Sequence, residues 1–257
     1  MSFTSYAQNF EDVILNRVLK KVEFGFYIDV GAWSPQIDSV TRAFYEKGWS
    51  GINIEPNEKY FYELNIHRPR DKNICLSIGD TEGVSEMSFL SGFGSGMSTM
   101  LDEYAIKHIQ SGWSLERKEV KLTTLNIIWQ QFIPKDHAVH FLKIDVEGME
   151  KSVISGNDWT KNRPWIVVVE ATLPMTQIEC HSEWEPYLIK ADYQYVYADG
   201  LNRFYLASEK CILSEYFKYP PNIFDDFIHV SLVESKSREE NLKQINNEII
   251  AQIQNKS

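Results

Sequence analysis

The sequence predicts an α/β domain on a mixed, mostly parallel seven-stranded sheet with helices on both faces, and three observations carry that expectation. Short apolar runs alternate with helical stretches through residues 26–78, the β-α-β-α-β order of a parallel sheet with right-handed crossovers. Residues 165–169 (WIVVV) are apolar without alternation, as in a strand covered on both faces. Residues 193–197 and 203–207 flank Asp199-Gly200-Leu201-Asn202 and form an antiparallel hairpin pattern that closes the sheet.

Taken in order, residues 26–30 (FYIDV) are the first strand and run into Gly31-Ala32. The stretch 38–47 carries Val40, Phe44 and Tyr45 for a helix facing a sheet, and Gly48 ends it. Ile52-Asn53-Ile54 is the second strand, followed by Glu55-Pro56-Asn57, with Asn57 as cap for a helix over 58–67. A third strand is expected over 73–78. The basic run His67-Arg68-Pro69-Arg70 has two readings, a solvated helix end or a phosphate contact. The middle is less regular: strands over 85–90 and 116–122, a glycine-rich loop over 91–100 (SGFGSGMSTM) and a helix over 124–132. That loop reads as a substrate lid or a plain connection.

Regular order then resumes. A strand over 138–144 ends at Asp145, a helix over 149–155 is stopped by Gly156, the strand over 165–169 ends at Glu170, and a helix covers 184–191. Residues 218–222 (KYPPN) punctuate the fold, and 224–233 are expected to pack back onto it. From 234 onward there is no Gly, Pro or aromatic residue, and Leu242, Ile245, Ile249 and Ile253 recur on one helical face. The expected division is one domain over 1–233 and a helical tail over 234–257. The tail would pack on the body, join a further domain or mediate self-association. Its uncapped end suggests a fragment of a larger protein.

Composition excludes several classes. The 257 residues hold 26 basic and 36 acidic side chains, a net charge of −10. That argues against nucleic acid or an anionic membrane as partner. An apolar content of 43%, with 7 Trp, 13 Tyr and 14 Phe, excludes disorder as the dominant state. Three distant cysteines, Cys75, Cys180 and Cys211, supply neither a disulfide framework nor a paired zinc motif. No export signal or spanning run is visible, and Ser2 excludes N-myristoylation. The expected location is cytoplasmic.

Three features stand at carboxyl ends of the early strands, where open α/β sheets bind ligands. Asp29-Val30-Gly31-Ala32 allows a ligand close to the backbone. Glu55 offers a carboxylate to two ribose hydroxyls. Gly79-Asp80 offers an acceptor to an adenine amino group. The dinucleotide fingerprint G-x-G-x-x-G is absent, since Trp33 and Ser34 follow Ala32, and that disfavours a pyrophosphate and an NAD-dependent oxidoreductase. S-adenosylmethionine, with adenosine and no pyrophosphate, fits better.

These blocks resemble the FkbM-type methyltransferases. The matching stretches are SYAQNFEDVIL (5–15), YIDVGA (27–32), DSVTRAFY (38–45), GWSGINIEPN (48–57), LKIDVEGME (142–150), VVVEAT (167–172), DGLNRFY (199–205) and PPNIFDDF (220–227). The resemblance implies a Rossmann-like class I fold, S-adenosylmethionine as cofactor and O-methylation of a sugar hydroxyl. The late DGLNRFY block resembles the subgroup of bacterial polysaccharide pathways, often joined to glycosyltransferase modules. By position, Asp29, Gly31 and Ala32 would line the methionine end, Glu55 with Pro56 the ribose, and Ile78, Gly79 and Asp80 the adenine. Gln8 and Asn9 would lie over the site, with Gln8 alternatively capping the first helix. Asp38 and Ser39 would reach the cofactor. Asp145 would face the transferred methyl.

A sugar hydroxyl needs a base, and the candidates are Asp145, Glu147, Glu170 and His181, the last with the best intrinsic pKa. Asp145, Glu147 and Glu170 would alternatively gather Mg²⁺ or Ca²⁺, or Lys143 and Lys151 would pair with Glu147. Trp33, Asn202 and Arg203 are substrate-binding candidates. Trp113, Trp159 and Trp184 are mostly expected in the core. Methylation of a lipid or polyketide hydroxyl is the alternative within the same enzyme class, and a cofactor-binding scaffold without turnover is the non-enzymatic one.

Overall fold

The computed structural model describes residues 2–90, 115–174 and 176–254. The loop expected over 91–100 and Trp113 lie outside the described residues. The elements are β1 (Phe3–Ser5), α1 (Glu11–Val18), β2 (Phe26–Val30), α2 (Arg42–Glu46), β3 (Ser50–Ile54), α3 (Glu58–His67), β4 (Lys72–Ile74), β5 (Ser77–Gly79), β6 (Gly83–Leu90) and β7 (Leu115–Thr124). They continue with α4 (Leu125–Phe132), β8 (Phe141–Ile144), α5 (Glu150–Ser155), β9 (Ile166–Glu170), α6 (Glu185–Lys190), β10 (Tyr193–Ala198), β11 (Asn202–Ala207), β12 (Phe227–His229) and α7 (Val230–Gln254).

The main sheet has seven strands in the order β10-β11-β9-β8-β2-β3-β4. The five strands from β9 to β4 are parallel, and β11 runs antiparallel to both its neighbours. The mixed seven-stranded expectation holds. Strand alternation sends side chains to two cores. Ile28, Val30, Ile52, Leu142 and Val167 pack with Leu125, Ile128, Val153, Ile154 and Leu188 from α4, α5 and α6. Tyr27, Phe141, Ile166, Val168 and Phe204 pack with Ile14, Leu15, Val18 and Phe44 from α1 and α2. Helices therefore cover both faces, which is why the strands read as continuous apolar runs. Trp159 and Trp184 are buried in the first core, so they are not available to stack on a sugar.

Three expectations need correction, and a fourth takes a specific form. The third strand, expected over 73–78, divides in two. β4 pairs with β3, whereas β5 leaves the main sheet and pairs with β7 in a three-stranded sheet with β6. The helix expected over 38–47 is only Arg42–Glu46. Asp38 is left-handed, with φ of 50°, and Ser34 Oγ holds the preceding turn by accepting from the Gln36 and Ile37 N–H groups. The basic run is a solvated helix end at His67, Pro69 and Arg70, which are exposed, but not at Arg68. Arg68 is buried and donates to Pro35 O and Ser39 Oγ, while Arg70 donates to the carbonyls of Tyr45 and Trp49. The expected packing of 224–233 onto the body takes a specific form, β12 pairing in parallel with β1, and α7 already starts at Val230. Leu242 and Ile245 on α7 are exposed, so at these positions the tail does not pack on the domain. No helix among the described residues is long and apolar enough to cross a membrane.

Candidate active site

The carboxyl end of β2 turns sharply. Gly31 has φ of +79°, and the N–H groups of Gly31 and Ala32 both donate to Ile54 O at 3.0 and 3.1 Å. A Cβ on Gly31 would stand 1.8 Å from the Asp145 carbonyl oxygen. The β2 turn thus passes directly over the end of β8, and only glycine fits. The Trp33 N–H donates to Glu55 Oε2 at 2.8 Å, and the Asn57 N–H to Glu55 Oε1 at 2.7 Å. Glu55 therefore ties the β2 turn to the start of α3, where Asn57 caps as expected. Burial pushes the Glu55 carboxyl up to about 7. Each of its oxygens accepts one backbone bond and keeps a second lone pair.

Pro56 lines a cavity with Tyr60, Cys75 and Leu76. The Trp33 ring meets Tyr60 edge-on, and its indole N–H is buried without a hydrogen-bond partner among the described residues. Asp80 is exposed, and its N–H donates to Ser152 Oγ. A Cβ on Gly156 would stand 2.1 Å from Gly79 O, so Gly156 permits a close crossing beneath the β5 end besides ending α5.

Beneath this rim lies a charged core that the sequence did not disclose. Lys143 Nζ sits 3.1 Å from Asp145 Oδ2 and 3.7 Å from Asp29 Oδ1. Burial pushes the Lys143 ammonium down, but Asp145 and Asp29 outweigh it and the net direction is up. Thr41 Oγ1 donates to Asp29 Oδ2 at 3.1 Å. Ser39 is one step removed, against Thr41 and Arg68. Asp29 is buried, and its Oδ1 has no hydrogen-bond partner among the described residues.

Past β8 the chain turns through Glu147 and Gly148, both at positive φ. Glu150 Oε1 accepts from the N–H groups of Val146 and Gly148 at 3.2 and 3.1 Å, so this carboxylate, missed in the sequence, fixes the turn. Asp145, Glu147 and Glu170 each bring an oxygen within 4.8 Å of the others. Burial first, and Asp145 second, push the carboxyls of Glu147 and Glu170 well above the usual range. Of the lysines expected beside Glu147, Lys143 contacts Asp29 and Asp145, and Lys151 contacts Glu183. A cavity of about 460 Å³ opens on these acids, lined also by Gln8, Thr172, Thr176, Gln177 and Leu201.

Gln8 reaches that cavity because the N-terminal segment is stitched to the β10–β11 turn. Asp12 accepts from Ser5 Oγ and the Tyr6 and Ala7 N–H groups. Glu11 accepts from the Asn9 N–H and from Asn202 Nδ2, and Asn9 Nδ2 donates to Asp199 O. Gln8 does not cap α1, whose N-cap position is Phe10 without a side-chain bond. Asn202, expected at substrate, donates its amide to Glu11 and Asp199. Arg203 donates to Glu185 and lies over the Tyr195 ring. His181 stands between Glu179 and Glu185, its ring nitrogens 3.4 and 3.9 Å from their oxygens, and is not among the residues lining the acidic cavity.

The buried acids predict a pH dependence. Burial raises Glu11, Glu55 and Glu150 to about 7 and Asp12 to about 6. Between about pH 4 and 7 the folded chain holds protons that the unfolded chain has released, so stability falls as pH rises through that window. Melting temperature is expected to be several degrees higher at pH 5 than at pH 8. A scanning-fluorimetry series in matched salt checks this, and a melting temperature that rises to pH 8 contradicts it.

Comparison with known proteins adds one match. A family model described as the methyltransferase FkbM domain covers residues 29–196, from Asp29 through the acidic cluster into β10. No curated protein matches the chain.

Proposed function

Since the chain belongs to the FkbM methyltransferase family, we propose that it moves a methyl group from S-adenosylmethionine to a hydroxyl of a sugar, either nucleotide-linked or within a bacterial surface polysaccharide. The observation that carries this reading is the run of hydrogen-bond acceptors at successive strand ends. S-adenosylmethionine presents mainly donors and positive charge there: a sulfonium, an ammonium, a ribose diol and an adenine amino group. Asp29, Glu55 and Asp80 are acceptors, and Gly31 leaves backbone room. Trp33 Nε1, in the turn after β2, is a buried donor without a hydrogen-bond partner among the described residues, the kind of atom that a bound ligand satisfies. A pyrophosphate would meet carboxylates in place of a cradle of N–H groups.

When bound, S-adenosylmethionine supplies an electrophilic methyl on a sulfonium sulfur. In this reading Asp29 and Gln8 hold the methionine end, Glu55 the ribose and Asp80 the adenine. The acceptor oxygen attacks the methyl carbon as the carbon–sulfur bond breaks, and sulfur leaves as a neutral thioether. The hydroxyl proton goes to a carboxylate of the acidic cluster. Glu147 and Glu170 suit that role ahead of His181 because they line the cavity.

A sugar is favoured over a lipid or polyketide acceptor by the cavity lining. Of its eight residues only Leu201 is apolar; the others offer carboxylates, amides and hydroxyls, which suit a polyol. In this reading the tail α7, with Leu242 and Ile245 exposed, joins a glycosyltransferase module or a second copy. Labelled S-adenosylmethionine with panels of nucleotide sugars, oligosaccharides and hydroxylated lipids tests the acceptor class. Transfer to a sugar hydroxyl is expected, and transfer confined to the lipid panel would overturn the sugar reading. Cofactor binding without turnover on any panel would leave the scaffold alternative standing.

A further inference from the structure

We infer that Asp145, Glu147 and Glu170 bind one hard divalent cation, of the Mg²⁺, Mn²⁺ or Ca²⁺ class, on which the acceptor hydroxyl is held. The use of the cation rests on the methyl-transfer reading above; its binding does not. The three carboxylate oxygens lie within 4.8 Å of one another. Two oxygens on opposite sides of one ion stand about 4.2 Å apart for Mg²⁺ and about 5 Å for Ca²⁺, so a single ion spans the cluster after small side-chain adjustments at most.

A second observation points to a ligand. Glu170 is 8% exposed, and its Oε2 is buried with no hydrogen-bond partner among the described residues. A buried carboxylate oxygen without a donor is costly unless a charge satisfies it. Lys143, the buried cation beside Asp145, is already divided between Asp29 and Asp145. Glu150, the fourth carboxylate here, spends Oε1 on the backbone of Val146 and Gly148 and so presents Asp145 and Glu147 without being a ligand itself. The cavity of about 460 Å³ beside the cluster, with Thr172, Thr176, Gln177 and Gln8 in its wall, leaves room for the waters or hydroxyls that would complete the shell. An acceptor hydroxyl on the cation loses its proton more readily, and a carboxylate oxygen not bound to the ion takes it.

The test is calorimetric titration of the EDTA-treated full chain with MgCl₂, MnCl₂ and CaCl₂ separately, and with S-adenosylhomocysteine in parallel. One saturable cation site per chain is expected for at least one of the three. Glu170→Gln and Glu147→Gln should each weaken it at least tenfold. Glu183→Gln, an exposed acid paired with Lys151, should leave it unchanged. Retained S-adenosylhomocysteine binding shows that a variant is folded, and Glu147→Gln decides if Glu170→Gln is not. Absence of saturable binding, or equal affinity in all variants, overturns the inference. S-adenosylhomocysteine binding without a cation site sinks the inference and spares the methyltransferase reading; a cation site without S-adenosylhomocysteine binding does the reverse.

Discussion

Gly31→Ala is expected to abolish S-adenosylhomocysteine binding and to lower the melting temperature by roughly 10 °C or more. Two costs coincide at this residue. Its φ of +79° strains any side chain, and the new Cβ would stand 1.8 Å from the Asp145 carbonyl oxygen. The obstacle is backbone, so no rotamer change relieves it, and the β2 turn must lift off the end of β8. Gly200→Ala separates the two costs. Its φ is +98° but nothing lies within 4 Å of the new Cβ, so strain alone, about 1–2 kcal/mol, should lower the melting temperature by only a few degrees. Thermal melts and calorimetry on both variants check the contrast. A Gly31→Ala protein that melts and binds like the parent contradicts it.

Lys143→Met is expected to destabilise the domain by about 3–5 kcal/mol, the usual loss when one partner of a buried charge group is removed. Lys143 is buried between Asp29 and Asp145. Without it Asp29, enclosed and already raised by burial, has no ammonium beside it. The loss should therefore shrink at pH 5, where the stranded carboxylates protonate. Adding Asp29→Asn should recover part of the loss, since the double variant strands less charge. Denaturant unfolding of the two single variants and the double variant measures the coupling. Strictly additive losses would show that the pair is not energetically linked.

The sheet was legible because its strands are short, apolar and separated by plain stops, and both faces are covered. Asp29, Gly31, Glu55 and Asp145 were legible as strand-end residues because a parallel sheet puts its ligand side there. What escaped was pairing across distance. Lys143 alternates along an otherwise apolar strand and looks like a surface residue, yet it contacts Asp29 on β2 and Asp145 beyond the end of β8. Asp71 reads as a loop acid, yet it is buried and accepts from Tyr27 Oη, the Gly51 N–H and Asn53 Nδ2. Arg68 looks solvated by its neighbours in sequence and is buried by a loop thirty residues earlier. Asn202 and Arg203 drew attention as polar residues near a turn, but their groups hold Glu11, Asp199 and Glu185. The third strand divided because Cys75 and Leu76 separate a short pairing with β3 from a second pairing with β7, a change of partner that apolar periodicity does not record.

The measurement that bears most directly on the central claim is calorimetric titration of the full chain and of Asp29→Asn with S-adenosylhomocysteine and with NAD. One site for S-adenosylhomocysteine, at least tenfold weaker in Asp29→Asn, and no binding of NAD is the predicted result. No binding of S-adenosylhomocysteine to the folded parent chain, or binding of NAD in its place, would contradict the account.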